Sequence, residues 1–129
     1  MPRVSDPPRA YSGSTYESRY GFCRAVRTGD RIVVSGTAPI WRDGSCPVSP
    51  ATQAARCLEI IGEAIAELGG ALSDVVRTRM FIVDAADADA VGEAHREVFG
   101  EIPPASTILV VAALLDERWK VEIEAEAQL

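Results

Sequence analysis

The sequence predicts an α+β sandwich in which two helices cover one face of a mixed β-sheet. Two patterns alternate along the chain: short runs with apolar residues at every second position, and two longer stretches with apolar residues three and four positions apart. In order, they give two strands, a helix, a strand, a helix and two final strands (ββαβαββ). Two helices are too few to cover both faces of such a sheet, so we expect both on one face.

Length and composition place these elements in one domain. The chain has 129 residues, enough for a single domain with its own core. Residues 1–19 are rich in Ser, Arg, Pro and Tyr and lack apolar periodicity. We therefore expect a flexible N-terminal arm over residues 1–19 and a single domain over residues 20–129.

Composition also disfavours several partners. The net charge of -6 argues against nucleic acid, because phosphate binding depends on Lys and Arg. No apolar run approaches the roughly 20 residues of a membrane span, and the N-terminus has no apolar signal core, so we expect a cytoplasmic protein without a membrane partner. The three cysteines form no CxxC pair and there is a single histidine, so we expect no metal site.

The first two strands form a predicted hairpin. Residues 22–26 and 31–37 have strand-like composition, and they flank Thr28-Gly29-Asp30, a typical turn sequence. A loop rich in Gly and Pro follows the second strand.

The first helix has clear sequence signals at both ends. Ser49 is a typical N-cap and Pro50 suits the first helical position, while Gly69-Gly70 ends the helix. One apolar stripe between them predicts the face that packs on the sheet. The stripe consists of Ala54, Cys57, Leu58, Ile61, Ile65 and Leu68.

The third strand spans residues 75–83 and precedes the second helix. Its alternation predicts two sides: Val76, Thr78, Met80 and Ile82 towards the helices, and Arg77, Arg79 and Phe81 away from them. We expect Asp87 to cap the second helix, which runs through Phe99, with His95 as a packed or edge residue rather than a ligand.

The last two strands differ in pattern. Residues 106–113 form a nearly continuous apolar run, which predicts a central strand buried on both faces. In residues 120–127, Val121, Ile123, Ala125 and Ala127 alternate with Glu122, Glu124 and Glu126. Three like charges in one column repel each other, so that face is either solvated or meets a cation.

The sheet face away from the helices has the composition of a subunit interface. It combines apolar side chains of residues 106–113 with charged ones, a mixture too apolar for open water and too charged for a core. We therefore predict a homo-oligomer with a polar pocket at this face. Its charged and aromatic members are Arg77, Arg79, Phe81, Glu122, Glu124 and Glu126.

An ordered set of motifs over residues 20–127 resembles the RidA/YjgF family of reactive-intermediate deaminases. The motifs are Arg27-Thr28-Gly29-Asp30, Val34-Ser35-Gly36-Thr37, Gln53-Ala54-Ala55-Arg56, Asp74-Val75-Val76-Arg77, Val83-Asp84, His95-Arg96-Glu97-Val98-Phe99-Gly100, Pro103-Pro104-Ala105 and Val121-Glu122-Ile123-Glu124-Ala125. The resemblance implies a chorismate-mutase-like fold, a homotrimer with small-molecule clefts between subunits, and hydrolysis of enamines or imines without metal or cofactor.

The resemblance also implies a site, and this chain departs from it. The water-activating glutamate corresponds to Glu122, whereas the arginine that grips a substrate carboxylate is replaced by Ser106. Phe22 stands where an aromatic hydroxyl is common, and Gly92 where an Asn is common. Besides Glu122, the candidate pocket residues are Ser106, Ser35, Gly36, Phe22, Ile108 and Arg79.

The missing arginine argues against standard 2-aminoacrylate deaminase activity. Losing an Arg–carboxylate fork costs about 2–5 kcal/mol of binding, or roughly 30- to several-thousand-fold, and a serine hydroxyl replaces only part of it. Either the substrate lacks a carboxylate, or Arg79 or Arg24 supplies the cation. If Arg79 only neutralises the glutamate column, we expect Glu122 to keep a low pKa and to be a poor base.

Two further functions stay open on the sequence. One is a non-catalytic trimer that binds a small ligand or a protein in the same cleft. The other is RNA cleavage, which is sometimes attached to this family, and against which the acidic charge and the single histidine argue.

Overall fold

A computed structural model describes residues 7–129, which form a six-stranded mixed sheet with helices packed on it. The strands are β1 (Arg9–Ala10), β2 (Ala25–Thr28), β3 (Arg31–Thr37), β4 (Val75–Ile82), β5 (Ala105–Val110) and β6 (Val121–Gln128). The helices are α1 (Thr15–Tyr20), α2 (Pro50–Glu67) and α3 (Ala88–Phe99). The predicted α+β class is confirmed, with one short strand (β1) and one short helix (α1) more than expected. Among the described residues, no helix is long and apolar enough to cross a membrane.

The final strand of the chain lies inside the sheet. The strand order is β1-β2-β3-β6-β4-β5, so β6 pairs antiparallel with both β3 and β4. Its alternate residues Val121, Ile123, Ala125 and Ala127 are all buried. They pack beneath α2 and α3, whose apolar stripes supply the other half of the core. The glutamates of β6 consequently face the side of the sheet that the helices leave open.

The prediction of a central strand over residues 106–113 is wrong within this chain. β5 is an edge strand, parallel to β4, and all six of its residues are exposed. The α3 crossover carries the chain past β4 to the edge, and a run of apolar residues indicates burial without indicating by what. Ile108, Leu109 and Val110 keep 40%, 45% and 58% of their surface exposed.

One predicted core position on β4 is also wrong. The pairing of β4 with β6 shifts by one residue between Val75 and Arg77, which is a β-bulge. Val75 is therefore buried, whereas Val76, expected in the core, is half exposed. Beyond the bulge the predicted alternation is confirmed: Thr78, Met80 and Ile82 are buried beneath the helices.

The capping predictions differ in outcome. The Ser49 side chain accepts a hydrogen bond from the Thr52 amide at 3.4 Å, and Gly69 takes the left-handed conformation after α2, as expected. Asp87 precedes α3 but its side chain caps nothing. Asp84 instead accepts a bond from the Ala86 amide at 2.9 Å, in the 3-10 turn that leads into the helix.

The expected flexible arm is wrong for the part that the structure describes; residues 1–6 lie outside it. β1 pairs with β2, and α1 is tied to the sheet by an ion pair between Glu17 and Arg24, with 4% and 6% of their side-chain surfaces exposed. Tyr16 packs edge-on against Trp119, with ring centroids 5.8 Å apart. These are tertiary contacts that leave no apolar period in the sequence.

We predict that Glu17→Ala destabilises the fold strongly. It would leave the Arg24 guanidinium buried without its carboxylate, and such losses lower the free energy of unfolding by about 3–5 kcal/mol. Urea denaturation measures the change. As a control, Arg31→Ala breaks the exposed Arg31–Glu126 pair and should cost less than about 1 kcal/mol. Equal losses in the two variants would contradict the prediction.

Candidate functional site

Two of the three glutamates on β6 are neutralised by arginines on neighbouring strands. Arg79 lies opposite Glu124 in the β4–β6 register and donates to its Oε1 at 2.9 Å. Glu126 lies 3.7 Å from the same guanidinium and accepts a bond from Arg31 at 2.8 Å. The repulsion expected in this column is thereby relieved at Glu124 and Glu126.

Glu122 is the exception in the column. Its neighbour across β4 is Phe81, which offers no charge. Burial raises the pKa of the Glu122 carboxyl above its ordinary value of 4.5; the positive charge of Arg24 opposes this rise and the negative charge of Glu124 adds to it. No hydrogen bond within residues 7–129 contributes to that pKa. The expectation that Glu122 would keep a low pKa if Arg79 neutralised the column is wrong, because Arg79 does not reach Glu122.

A β-bulge on β3 makes room for the Glu122 side chain. The β3–β6 pairing shifts between Val34 and Thr37, which places the extra residue at Ser35-Gly36. A Cβ at Gly36 would lie 2.5 Å from Glu122 Oε1 and 3.3 Å from its Cδ. The absence of a side chain at Gly36 therefore permits the observed position of the carboxylate.

Arg24 closes the other side of this bulge. Its guanidinium donates to the Gly36 carbonyl at 2.5 Å and to Thr37 Oγ1 at 3.1 Å, and it is paired with Glu17. It also lies 5.5 Å from the centre of the Phe22 ring. Arg24 is thus a buried structural cation whose charge reaches Glu122, rather than a free group for a substrate.

The remaining predicted residues of the open face line a shallow groove. Ser35 donates to the Cys23 carbonyl at 2.8 Å, so its hydroxyl already has an acceptor. Ser35, Val33 and Arg79 border a groove of about 220 Å³ beside Glu124 and Glu126. In this groove Arg79 acts as the counter-ion of the two glutamates.

Ser106 and Ile108 lie elsewhere. They pair with Thr78 and Met80 of β4, whose side chains point towards the helices. Ser106 Oγ accepts a bond from Thr78 Oγ1 at 2.8 Å, on the sheet face opposite to Glu122. One chain therefore does not bring Glu122 and Ser106 together.

Sequence reasoning missed two contributors to these surroundings. Glu17 fell in the segment read as an arm, although a lone acid in a polar helix carries no signal of burial. Thr78 is predicted among the core-facing residues of its strand, and it is buried, but its hydroxyl also forms hydrogen bonds with both Ser106 and His95. A threonine among apolar residues on a buried strand face is a usable signal, because a buried hydroxyl needs a partner.

The described part of the chain contains no cluster of three or more His, Cys, Asp or Glu residues suited to a metal ion. Burial raises the pKa values of the Cys46 and Cys57 thiols, so neither is a thiolate at neutral pH. The chemistry available on the open face is that of a half-buried carboxylate that forms no ion pair within the part of the chain that the structure describes.

Comparisons with known proteins agree with this fold. Residues 13–129 match the family described as Endoribonuclease L-PSP. The chain is 40% identical over 124 residues to the uncharacterized protein SCO2049 of Streptomyces coelicolor, covering 92% of this chain and 90% of that one. It is 30% identical over 111 residues to the 2-iminobutanoate/2-iminopropanoate deaminase of Escherichia coli, covering 82% and 85%.

A solved structure of a relative has the same architecture. Rv2704 of Mycobacterium tuberculosis, a member of the YjgF/YER057c/UK114 family, superposes with a TM-score of 0.88 at 37% identity. The alignment covers 96% of this chain and 100% of that one.

We predict that Gly36→Ala displaces the Glu122 carboxylate without unfolding the protein. The new methyl group would meet the flexible end of Glu122, so the free energy of unfolding should change by less than about 1 kcal/mol while the carboxylate swings towards water. Carbon-13 NMR of the side-chain carboxyl should then give a Glu122 pKa closer to its ordinary value. Gly92→Ala, on α3 with nothing within 4 Å of the new atom, is the control and should leave that pKa unchanged. An unaltered Glu122 pKa in Gly36→Ala would refute the role given to Gly36.

Proposed function

The chain belongs to the Endoribonuclease L-PSP family, which includes the YjgF and RidA proteins, and from this we propose that it hydrolyses a small imine or enamine with Glu122 as the general base. The family membership confirms the resemblance found in the sequence. The observation that carries the proposal is the half-buried Glu122, which has no ion-pair partner within residues 7–129, in a column whose other two carboxylates have arginine partners.

The proposed reaction needs one carboxylate and one water. Glu122 accepts a proton from water as the water oxygen attacks the imine carbon, and the carbon–nitrogen double bond becomes single. The protonated carboxyl returns that proton to nitrogen, which gives a neutral carbinolamine. Glu122 then takes the proton of the new hydroxyl group and passes it to nitrogen as the carbon–nitrogen bond breaks, so ammonia and a carbonyl compound leave. A carboxyl with a raised pKa suits both steps, because it takes and releases a proton nearer to neutral pH.

The substrate is proposed to lack the carboxylate of 2-aminoacrylate. Ser106 offers a neutral hydroxyl where the family's deaminases offer an arginine. The two arginines considered as replacements are committed: Arg24 to Glu17 and the Gly36 carbonyl, and Arg79 to Glu124 and Glu126. A substrate carboxylate brought close to Glu122 would meet like charge, and neither Arg24 nor Arg79 is free to offset it.

The site is proposed to form between subunits of a homotrimer. Two features of the chain support this arrangement: the exposed apolar residues of β5, and the placement of Ser106 and Glu122 on opposite sheet faces. A second copy that covers β5 would bury these residues on both sides, which is the burial that their sequence predicts. It would also bring the β5 edge of one copy towards Glu122 of another.

We expect ammonia release from at least one imine in a panel of carboxylate-free imines and 2-imino acids generated in place. Glu122→Gln should reduce the rate at least 100-fold, because Gln cannot accept the proton. Glu126→Gln is the matched control on the same strand face and should retain most activity. For the wild type, kcat/KM should fall with decreasing pH through a pKa above 4.5, since only the ionised Glu122 is a base.

Rates of ammonia release equal to those in buffer for every imine of the panel would contradict the hydrolase proposal. A ligand that binds near Glu122 and is released unchanged would then favour the non-catalytic trimer.

We expect Leu109→Asp to dissociate the oligomer. Leu109 is 45% exposed on β5, and a carboxylate there would be desolvated on assembly. Sedimentation velocity should shift from a trimer to a monomer, with loss of any imine hydrolysis. Val48→Asp, at a loop position 80% exposed, is the control and should leave the mass unchanged. A wild-type monomer at micromolar concentration would exclude the intersubunit site.

A further inference from the structure

Three polar side chains form a hydrogen-bonded chain from α3 to the edge of the sheet. His95 Nε2 lies 2.8 Å from Thr78 Oγ1, and Thr78 Oγ1 lies 2.8 Å from Ser106 Oγ. Thr78 is fully buried, and His95 is half-buried against the Phe99 ring, with centroids 4.7 Å apart. Ser106 is exposed in the single chain, so these bonds end on a hydroxyl at the β5 edge, which the proposed trimer brings towards Glu122 of another copy.

The donor-to-acceptor direction of these hydrogen bonds depends on whether His95 Nε2 carries a proton. The Thr78 hydroxyl has one hydrogen and can donate to only one neighbour. When His95 Nε2 carries a hydrogen, it donates to Thr78, Thr78 donates to Ser106, and the Ser106 hydrogen points outwards. When Nε2 is bare, the order reverses and Ser106 presents only lone pairs. An arrangement with both neighbours donating would leave the buried Thr78 hydrogen without an acceptor, which is costly.

We propose that Ser106 donates a hydrogen bond to a neutral carbonyl or amide oxygen of the substrate, and that His95, acting through Thr78, is the positioning residue that fixes Ser106 as a donor. This inference rests on the proposed function, whose substrate class it narrows to imines that carry a neutral oxygen in place of a carboxylate.

The charges around the chain agree with a neutral ligand. Burial lowers the pKa of the His95 imidazole, so the ring is uncharged at pH 7 and the chain offers a dipole rather than a cation. Arg77 and Arg79 alternate with Thr78 along β4 and face the opposite side of the sheet. A single neutral hydroxyl does not repay the cost of removing a carboxylate from water, whereas an amide oxygen loses little hydration and gains the same donor. Selectivity at Ser106 therefore comes from the difference in desolvation cost, which favours an amide over a carboxylate of the same size.

The test compares pyruvamide with pyruvate, which differ in charge but little in size, by NMR titration of the full chain. The wild type should bind pyruvamide more tightly. Ser106→Ala should lower the affinity for pyruvamide about 5-fold, the equivalent of one neutral hydrogen bond, and should barely alter the affinity for pyruvate. Ser106→Arg should reverse the preference, strengthening pyruvate about 30-fold or more.

Two His95 variants separate positioning from packing. His95→Gln can place an amide N–H near Thr78 and should keep the preference for pyruvamide. His95→Leu fills the space without a donor and should lose it to the same extent as Ser106→Ala. In the wild type, nitrogen-15 shifts of His95 should report the Nε2–H tautomer.

The possible outcomes distinguish this inference from the hydrolase proposal. Equal affinity for pyruvamide and pyruvate in the wild type, or full preference retained in His95→Leu, would overturn the inference even if imines are hydrolysed. A preference for pyruvamide over pyruvate that is lost in Ser106→Ala and His95→Leu, without hydrolysis of any imine, would support the inference and overturn the hydrolase proposal.

Discussion

The register of β6 between β3 and β4 is the constraint on which the candidate site depends. It buries one side of β6 beneath the helices and lines up its glutamates on the open side. The same register sets Arg79 opposite Glu124 and Phe81 opposite Glu122. A shift of one residue would turn the glutamates into the core, so the apolar burial of β6 fixes which carboxylate has a cation and which does not. The chemical difference between Glu122 and its neighbours is thus a consequence of strand pairing.

Packing around Glu122 maintains this difference. The bulge at Ser35-Gly36 gives the carboxylate space, and Arg24 holds the bulge through the Gly36 carbonyl. Arg24 is itself buried and neutralised by Glu17, so α1 takes part in the site although it is far from β6 in sequence. Removing a carboxylate from water is unfavourable. The space at Gly36, held open by the buried Arg24, allows the Glu122 carboxylate to stay half-buried nonetheless. Stability and reactivity at this position are therefore coupled through the same few contacts.

The β5 edge and the glutamate face carry different functional groups. In the proposed reaction Glu122 is the base, and the hydrogen-bonded side chains of His95, Thr78 and Ser106 are the proposed neutral recognition group. They lie on opposite faces of one sheet, so a joint site needs two copies of the chain. The exposed apolar surface of β5 is consistent with the same requirement, because an uncovered edge strand favours further association.

The sequence by itself determined the element types, the α2 cap and turn signals, the face of β6 that carries the glutamates, and Glu122 as the candidate base. The element types, the cap and turn signals and the glutamate face follow from local periodicity and from residue conformational preferences, which act within a few positions, whereas the resemblance to the RidA/YjgF family singled out Glu122. Only the tertiary structure decided that β5 is an edge strand, that residues 9–20 are ordered, that Arg79 serves Glu124 and Glu126, and that Thr78 links Ser106 to His95. Strand order, register and the pairing of buried charges join residues distant in sequence, so no local pattern records them.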